Sequence, residues 1–430
     1  MASKGKSDSA WERILLKHPD IISTIKAGGF YRIAASEIKK FREPRLMTKH
    51  DTSESVPAPL KDEGITVLPL SMTEYALGNF SLYEEFPDTG SLHKKLFSLP
   101  EFETLTVENL SSESNAINAL ILAGILDDFL DTTGTVETFN GRMRAGNFDF
   151  KIDRSSGLPA LIQVRGAQIE IDGGFENDES VVIMEAKNVI HKDFHIRQLY
   201  YPFRKYHSLV SKPIRLVFSQ YTNLTYNLFE YTFKDPQDYS SLELLNHAAY
   251  TFEDTRITDS DLRGLLAETH PIYTDNQTQT EIPFIQADRF DRIISLMEQL
   301  ARSENFSMSR DEVTQFLGMV QRQADYYPAA GKYLGLFRRN NGVVTLTAKA
   351  QQILKFGRRG RLLALASLIL KHEIFHTLAE SVLSTGELPH INHVKKKMLD
   401  LNVCNDGSTL HRRAQTVISW LKWIMELIDE

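Results

Sequence analysis

Residues 168–206, QIEIDGGFENDESVVIMEAKNVIHKDFHIRQLYYPFRKY, hold two carboxylates and one ammonium at a spacing that can bring them together. In QIEID, Gln168, Glu170 and Asp172 alternate with Ile169 and Ile171, so a strand puts the polar trio on one face and the isoleucines on the other. Asp172 then stands at the strand end, before a flexible turn expected at Gly173-Gly174. The next run, Val181 to Met184, is apolar enough for a buried strand and leads into Glu185 and Lys187, two residues apart and hence on one face. The chemistry this suits is phosphodiester hydrolysis. Asp172 and Glu185 offer hard oxygens that suit Mg²⁺, which keeps its own waters and bridges to phosphate. Lys187 can orient or help deprotonate the attacking water. HIRQLYYPFRKYHSLV reads as a helix that turns Gln198 towards the strand ends, as a further ligand or water holder.

Asp172, a gap, Glu185-Ala186-Lys187 and then Gln198-Leu199 with Tyr201 resemble the PD-(D/E)XK nuclease superfamily, and QLYY resembles its Gln-x-x-Tyr variant. Ile171 departs from the proline of that pattern. The resemblance implies a metal-dependent nuclease with Asp172, Glu185, Lys187 and Gln198 as catalytic residues. It also implies an acidic residue on the helix before the core sheet, for which Glu113 is the candidate; Asp172, Glu185 and Glu113 are then the metal set, and the cofactor is Mg²⁺. For Glu113 the plain alternative is an acid complementing a helix dipole. A rival triplet, Asp149-Phe150-Lys151, fits Asp-x-Lys but lacks the following Gln-Leu-Tyr helix.

The elements around this centre follow from periodicity. Residues 111–130, SSESNAINALILAGILDDFL, read as one helix capped by Ser111 or Ser112, with Glu113 in its first turn. Residues 135–172 alternate like antiparallel strands, and Arg142 and Arg144 there could touch DNA backbone. Strands are expected at 213–222 and 226–236. Together, 101–250 reads as a mixed sheet flanked by helices. Before it, 1–100 is a support region: two helices broken at Gly28-Gly29, then strands. Residues 251–281, ending in DNQTQTE, read as a linker.

Beyond it, 282–355 gives a helix at 287–302, a capping box from Ser309 to Glu312, a third helix interrupted at Pro328, and a hairpin at Asn341-Gly342. This resembles a winged helix, and nominates Arg322, Lys332, Tyr333, Arg338 and Arg339 for DNA contact. Residues 356–430 repeat the pattern loosely as a second winged helix. Its last helix, capped by Ser408 or Thr409, carries His411, Arg412, Arg413 and Gln415, the residue types that read base edges. Lys395, Lys396 and Lys397 suit phosphate. The fold class expected is therefore α+β: a PD-(D/E)XK core followed by two mainly helical winged-helix domains.

Charge divides the same way. Residues 282–430 hold 20 Lys and Arg against 15 Asp and Glu, a net of +5; residues 1–281 hold 29 against 41, a net of −12. The basic part is the expected docking surface for double-stranded DNA. Hydrophobic content of 42% with 24% charged residues is that of a soluble globular protein, and a single cysteine, Cys404, excludes a disulfide within the chain. No apolar run is long enough to span a bilayer and the N-terminus is polar, so a cytoplasmic setting without membrane association is expected, and the nuclease resemblance implies a prokaryotic one.

His372-Glu373-Ile374-Phe375-His376 matches the zinc-protease pattern His-Glu-x-x-His. Its surroundings argue against it. The positions of the extended pattern hold Ala379 and Val382, and Glu387 follows too closely. The reading is thus a type II restriction endonuclease-like enzyme cutting double-stranded DNA, with a homodimer and a cognate DNA methyltransferase as further partners. The alternatives are a repair or mobile-element nuclease, or a DNA-binding regulator whose nuclease domain is inactive.

Overall fold

The computed structural model describes residues 5–89, 93–107, 110, 112–155, 157–253, 256–273, 284–405, 407 and 409–428. The suggested caps Ser111 and Ser408, and the DNQTQTE stretch, lie outside them.

The centre is a seven-stranded mixed sheet. Its order across the sheet is Lys94–Leu96, Leu242–Thr251, Thr225–Phe233, Ile214–Thr222, Val181–Lys187, Gln168–Glu176 and Val136–Arg144. Val181–Lys187 pairs in parallel with Ile214–Thr222, Lys187 opposite Gln220, and antiparallel with Gln168–Glu176. A parallel pair needs a crossover, and the helix Arg197–His207 supplies it. That connection puts the helix N-terminus, and Gln198 with it, beside the carboxyl end of the Glu185 strand.

Two layers cover the sheet. On one face, Ile183, Phe218, Phe229 and Ile171 pack with Phe194, Leu199, Tyr200 and Tyr201. On the other, Val182, Met184, Val217 and Tyr226 pack against Ile117 and Leu120 of the helix Glu113–Leu122 and against Leu126 and Phe129. The hairpin Asn147–Ile152 and Ala160–Arg165 forms a separate two-stranded sheet.

Three local expectations change here. The helix expected at 111–130 is two, Glu113–Leu122 and Ile125–Leu130, because Gly124 adopts a left-handed backbone at φ 75°. Gly173 and Gly174 are no turn: they lie within the strand Gln168–Glu176, where a Cβ on Gly174 would come within 2.3 Å of the Phe139 ring. The strand turns at Asn177 instead, whose Oδ1 accepts the Glu179 and Ser180 amides. The stretch expected to be a linker contains the helix Asp259–Glu268, capped reciprocally by Thr258 and Asp261, and its Leu262 is buried.

The N-terminal region has its own core around Trp11, Ile14, Ile38 and Leu60. Its first two helices, Lys6–Lys17 and Asp20–Lys26, separate at His18-Pro19 rather than at the glycines, and a three-stranded sheet follows, in the order Tyr31–Ala34, Glu74–Gly78, Thr66–Pro69.

In the C-terminal region, the helices Phe290–Arg302, Arg310–Leu317, Gln321–Ala324 and Tyr326–Tyr333 accompany a three-stranded antiparallel sheet, Ser307–Ser309, Val343–Leu346 and Phe337–Asn340. The third helix breaks at Asp325, and Pro328 sits in the first turn of the second piece, where its missing N–H is not needed. The second winged helix expected over 356–430 is not built that way. Its described residues form the helices Arg358–Leu370, Glu373–Thr385, Ile391–Asp400 and Leu410–Met425, with a single bridge from His372 to Tyr273 and no strand to make a wing. Nor is there a boundary at 355: one apolar cluster runs from Phe284, Phe290 and Tyr333 to Phe375, Trp420 and Ile424.

Candidate active site

Asp172, Glu185, Lys187, Gln198 and Glu113 converge on one cavity of about 400 Å³ at the carboxyl end of the strand Val181–Lys187. Each is placed by an element whose sequence explains it. Alternation buries Ile169 and Ile171 and leaves Asp172 at the sheet surface, where its Oδ2 accepts the Ala186 amide at 2.9 Å. Glu185 and Lys187 share a face of the central strand, and Lys187 Nζ donates to Glu185 Oε1 at 2.6 Å and to the Ala186 carbonyl at 2.7 Å. The same ammonium lies 3.5 Å from Asp172 Oδ2 and 3.7 Å from Glu113 Oε1. Gln198 Nε2 donates to Glu185 Oε1 from the crossover helix. Glu113 arrives in the first turn of a helix that Ser112 caps by accepting the Asn115 amide.

Charge is concentrated here, and Glu185 is the most deeply buried of the group. Burial, with Asp172 adding, pushes the Glu185 carboxyl up to about 8. Glu113 is raised as well, by burial first and then by Asp172 against the pull of Lys187. For Lys187, burial works towards neutrality, but Glu185, Asp172 and Glu113 outweigh it and hold the ammonium charged well above its ordinary range. Carboxylates that resist ionising until a cation arrives are suited to a divalent ion. Among the described residues no three His, Cys, Asp or Glu side chains make a metal-holding set on their own. The donor chemistry nevertheless fits Mg²⁺, which takes one or two carboxylates together with waters and substrate phosphate.

The N-terminal region closes the cavity, which the sequence did not announce. Arg45, Lys49, Asp51 and Tyr75 line it with Arg142 and Arg197. Asp51 lies 3.2 Å from Lys49 and 3.8 Å from Arg197. Burial works to raise its carboxyl, but Lys49, Arg197 and Lys187 hold it below the ordinary range. Arg197 precedes Gln198 and could have been read from the same helix. Asp51 carries no motif, and only the fold brings it within reach.

The remaining candidates, apart from Arg142 at the cavity wall, are scattered. Arg142 lies on the edge strand opposite Glu170 and bonds its carboxylate at 2.9 Å, while Arg144 is exposed two residues on. The rival Asp149 is exposed and bonded to Arg165 at 2.7 Å on the separate hairpin, with Lys151 beside it, away from the cavity. Arg322, Lys332 and Arg338 are exposed; Arg339 is paired with Asp325 at 2.7 Å. Tyr333 is a correction: it is 7% exposed and stacked on His372 at 3.7 Å, so it packs the core instead of facing DNA. His411 and Gln415 are exposed, Arg413 is half-buried, and Arg412 donates to Gln286 and covers the Tyr326 ring. The two histidines of His-Glu-x-x-His do not sit on one helix as that pattern requires: His372 lies before the helix and is buried, and His376 Nε2 contacts the Thr269 carbonyl at 2.8 Å.

Three family models match consecutive stretches of the chain, each described as a domain of unknown function: residues 8–77 (DUF6996), 78–251 (DUF6997) and 292–429 (DUF7226). No curated protein and no solved structure matches the chain.

Proposed function

We propose that the protein is a Mg²⁺-dependent endonuclease of the PD-(D/E)XK type that cuts double-stranded DNA at specific sites, in the manner of a type II restriction enzyme. The observation that carries this reading is the convergence of Asp172, Glu185, Lys187, Gln198 and Glu113 at the end of a central strand. Asp172 and Glu185 would hold the ion, with Glu113 as third carboxylate. When bound, Mg²⁺ would acidify a water and neutralise charge developing on the phosphate. Lys187, kept charged, orients that water and faces the phosphate; Gln198 fixes the Glu185 carboxylate. Arg45, Lys49 and Arg197 at the cavity wall are placed to receive the flanking backbone.

Recognition is assigned to the basic C-terminal region. Its order of helix, strand, three helices and two-stranded hairpin over 290–346, the last two helices being one broken at Asp325, supports a winged helix, with Arg322, Lys332 and Arg338 outward. A homodimer would give two cuts on a symmetric site, and a cognate methyltransferase would protect host DNA. No helix among the described residues is long and apolar enough to cross a membrane. The test is cleavage of phage DNA with Mg²⁺ and sequencing of the fragment ends. Discrete ends, lost in Asp172→Ala, Glu185→Ala and Lys187→Ala proteins that still bind duplex, are expected. An active Glu185→Ala protein would sink the assignment.

A further inference from the structure

A second cavity, of about 490 Å³, lies where the central sheet meets the C-terminal helices. Three amide side chains line it, and two of them are buried, Gln220 at 2% exposure and Asn223 at 7%; Gln220 Nε2 and Asn223 Oδ1 have no hydrogen-bond partner among the described residues. A donor and an acceptor withdrawn from water and left unpaired are unfavourable unless something in the cavity completes them. The turn carrying Asn223 is held rigidly, since Glu298 of the helix Phe290–Arg302 accepts the Thr222 hydroxyl at 3.2 Å and the Asn223 amide at 3.3 Å. Phe86 and Trp423 give the cavity aromatic walls, and Arg289 and Arg358 give it positive charge. Each of its four acidic groups has a partner: Asp88 and Glu426 pair with Lys422, Asp291 accepts the Trp423 indole N–H, and Asp288 accepts the Arg289 amide at 3.0 Å and the Tyr327 hydroxyl at 3.3 Å.

We propose that this cavity binds an adenine nucleotide, the base edge on Gln220 and Asn223, the base plane against the aromatic walls, and the phosphate towards Arg289 and Arg358. Each feature answers one part of that ligand. Amides offer the donor and acceptor that the adenine edge needs, aromatic rings take a base face, and guanidinium groups take phosphate. The cavity also touches Ile190, His191 and Lys192, in the segment that directly follows Lys187, so an occupant sits behind the catalytic centre. His191 Nδ1 is a third buried atom without a partner among the described residues, and burial together with Arg292 pushes this imidazole down to about 3, so it is neutral and can accept.

Two sources offer this chemistry, a free nucleotide or an adenine swung out of bound duplex. Titration calorimetry of the full-length protein with adenosine, AMP, ADP and ATP in EDTA tests the first. Emission from a duplex carrying 2-aminopurine next to an adenine, also in EDTA, tests the second, because an adenine that leaves the stack relieves the quenching of its neighbour. Neither arm requires cleavage, so both stand or fall apart from the nuclease reading. Binding in at least one arm is expected, weakened tenfold or more in Gln220→Leu. Arg289→Ala, a half-buried change that spares the sheet, should weaken AMP tenfold more than adenosine if the free nucleotide is the ligand, and return the 2-aminopurine signal towards free duplex if the base comes from DNA. The proposal is overturned if no nucleotide binds and duplex emission is unchanged, or if a folded Gln220→Leu protein binds as well as wild type.

Discussion

Replacing Glu185 with glutamine tests the electrostatics of the site without relying on turnover. The Glu185 carboxyl goes from an ordinary value of 4.5 to about 8 in the fold, where it is almost fully buried beside Asp172. The folded state therefore holds this proton more tightly than the unfolded chain. The stability that the raised value contributes is fully present below 4.5 and is lost as pH rises towards 8. With about 1.4 kcal/mol per unit, the loss between about pH 5.5 and about pH 8.5 comes to about 3 kcal/mol. The amide of the Glu185→Gln protein would keep an oxygen that accepts from Lys187 and Gln198 and would carry no such pH dependence. Urea unfolding followed by circular dichroism should show this variant gaining on wild type by that amount across the interval. Comparing the two pH values removes any constant packing effect of the amide. Excess Mg²⁺ should stabilise wild type, more at the higher pH because binding needs the carboxylate, and leave the variant unmoved. A stability difference that stays flat with pH refutes the reasoning, and an equal Mg²⁺ response in both proteins removes Glu185 from the metal set.

Three further outcomes are expected. Asp149→Ala and Lys151→Ala should leave cleavage within a few-fold of wild type, and loss of cleavage in a well-folded Asp149→Ala protein would favour the rival triplet. Arg292→Ala should cost about 3 kcal/mol in urea unfolding, because it strands the Glu54 carboxylate and the Ile190 carbonyl that the buried guanidinium holds; a change below about 1 kcal/mol would make that pair a surface contact in effect. Removing Gln415 should cost about 1–3 kcal/mol at the cognate site and relax one base pair, whereas the loss of Lys395, Lys396 or Lys397 should weaken all sequences alike and lower the salt slope by about one per contact. Equal losses on cognate and random DNA for Gln415→Ala would make the last helix a docking element.

What the sequence disclosed was what short-range chemistry encodes. The alternation in QIEID, the apolar run before Glu185 and the Gln-bearing helix each determine which way their own side chains face, and a parallel pair joined by that helix brings them together. The misread places are those where a residue answers to a distant partner. Gly174 looks like a turn until the Phe139 ring is seen lying over it. Tyr333 looks like a groove reader until His372, far along the chain, stacks upon it. The helix at 259–268 was hidden by the polar residues around it, although Thr258 and Asp261 carry the capping signal. The four C-terminal helices share one core with the region before them, and no local pattern distinguishes that from a second small domain.

The segment Asp51–Glu54 explains how three separately patterned regions can make one site. Its Asp51 carbonyl accepts the His195 amide at 2.9 Å, and its Ser53 amide donates to Asp193 at 2.8 Å, so it is fastened to the strand Asp193–His195 that precedes the Gln198 helix. Thr52 donates to the Gly318 carbonyl, and the Glu54 carbonyl accepts the Val320 amide at 3.0 Å, which fastens it to the C-terminal region as well. Arg292 completes the arrangement: almost wholly buried, it holds Glu54 with one side of its guanidinium and, through Nε at 2.9 Å, the Ile190 carbonyl three residues beyond Lys187. A displacement of the C-terminal helices would therefore be felt on both walls of the cavity, at Asp51 and at the segment after Lys187. Rigid packing makes such a joint respond as a unit. In the proposed enzyme, this joint is where engagement of DNA by the basic region would bear on the geometry of cleavage.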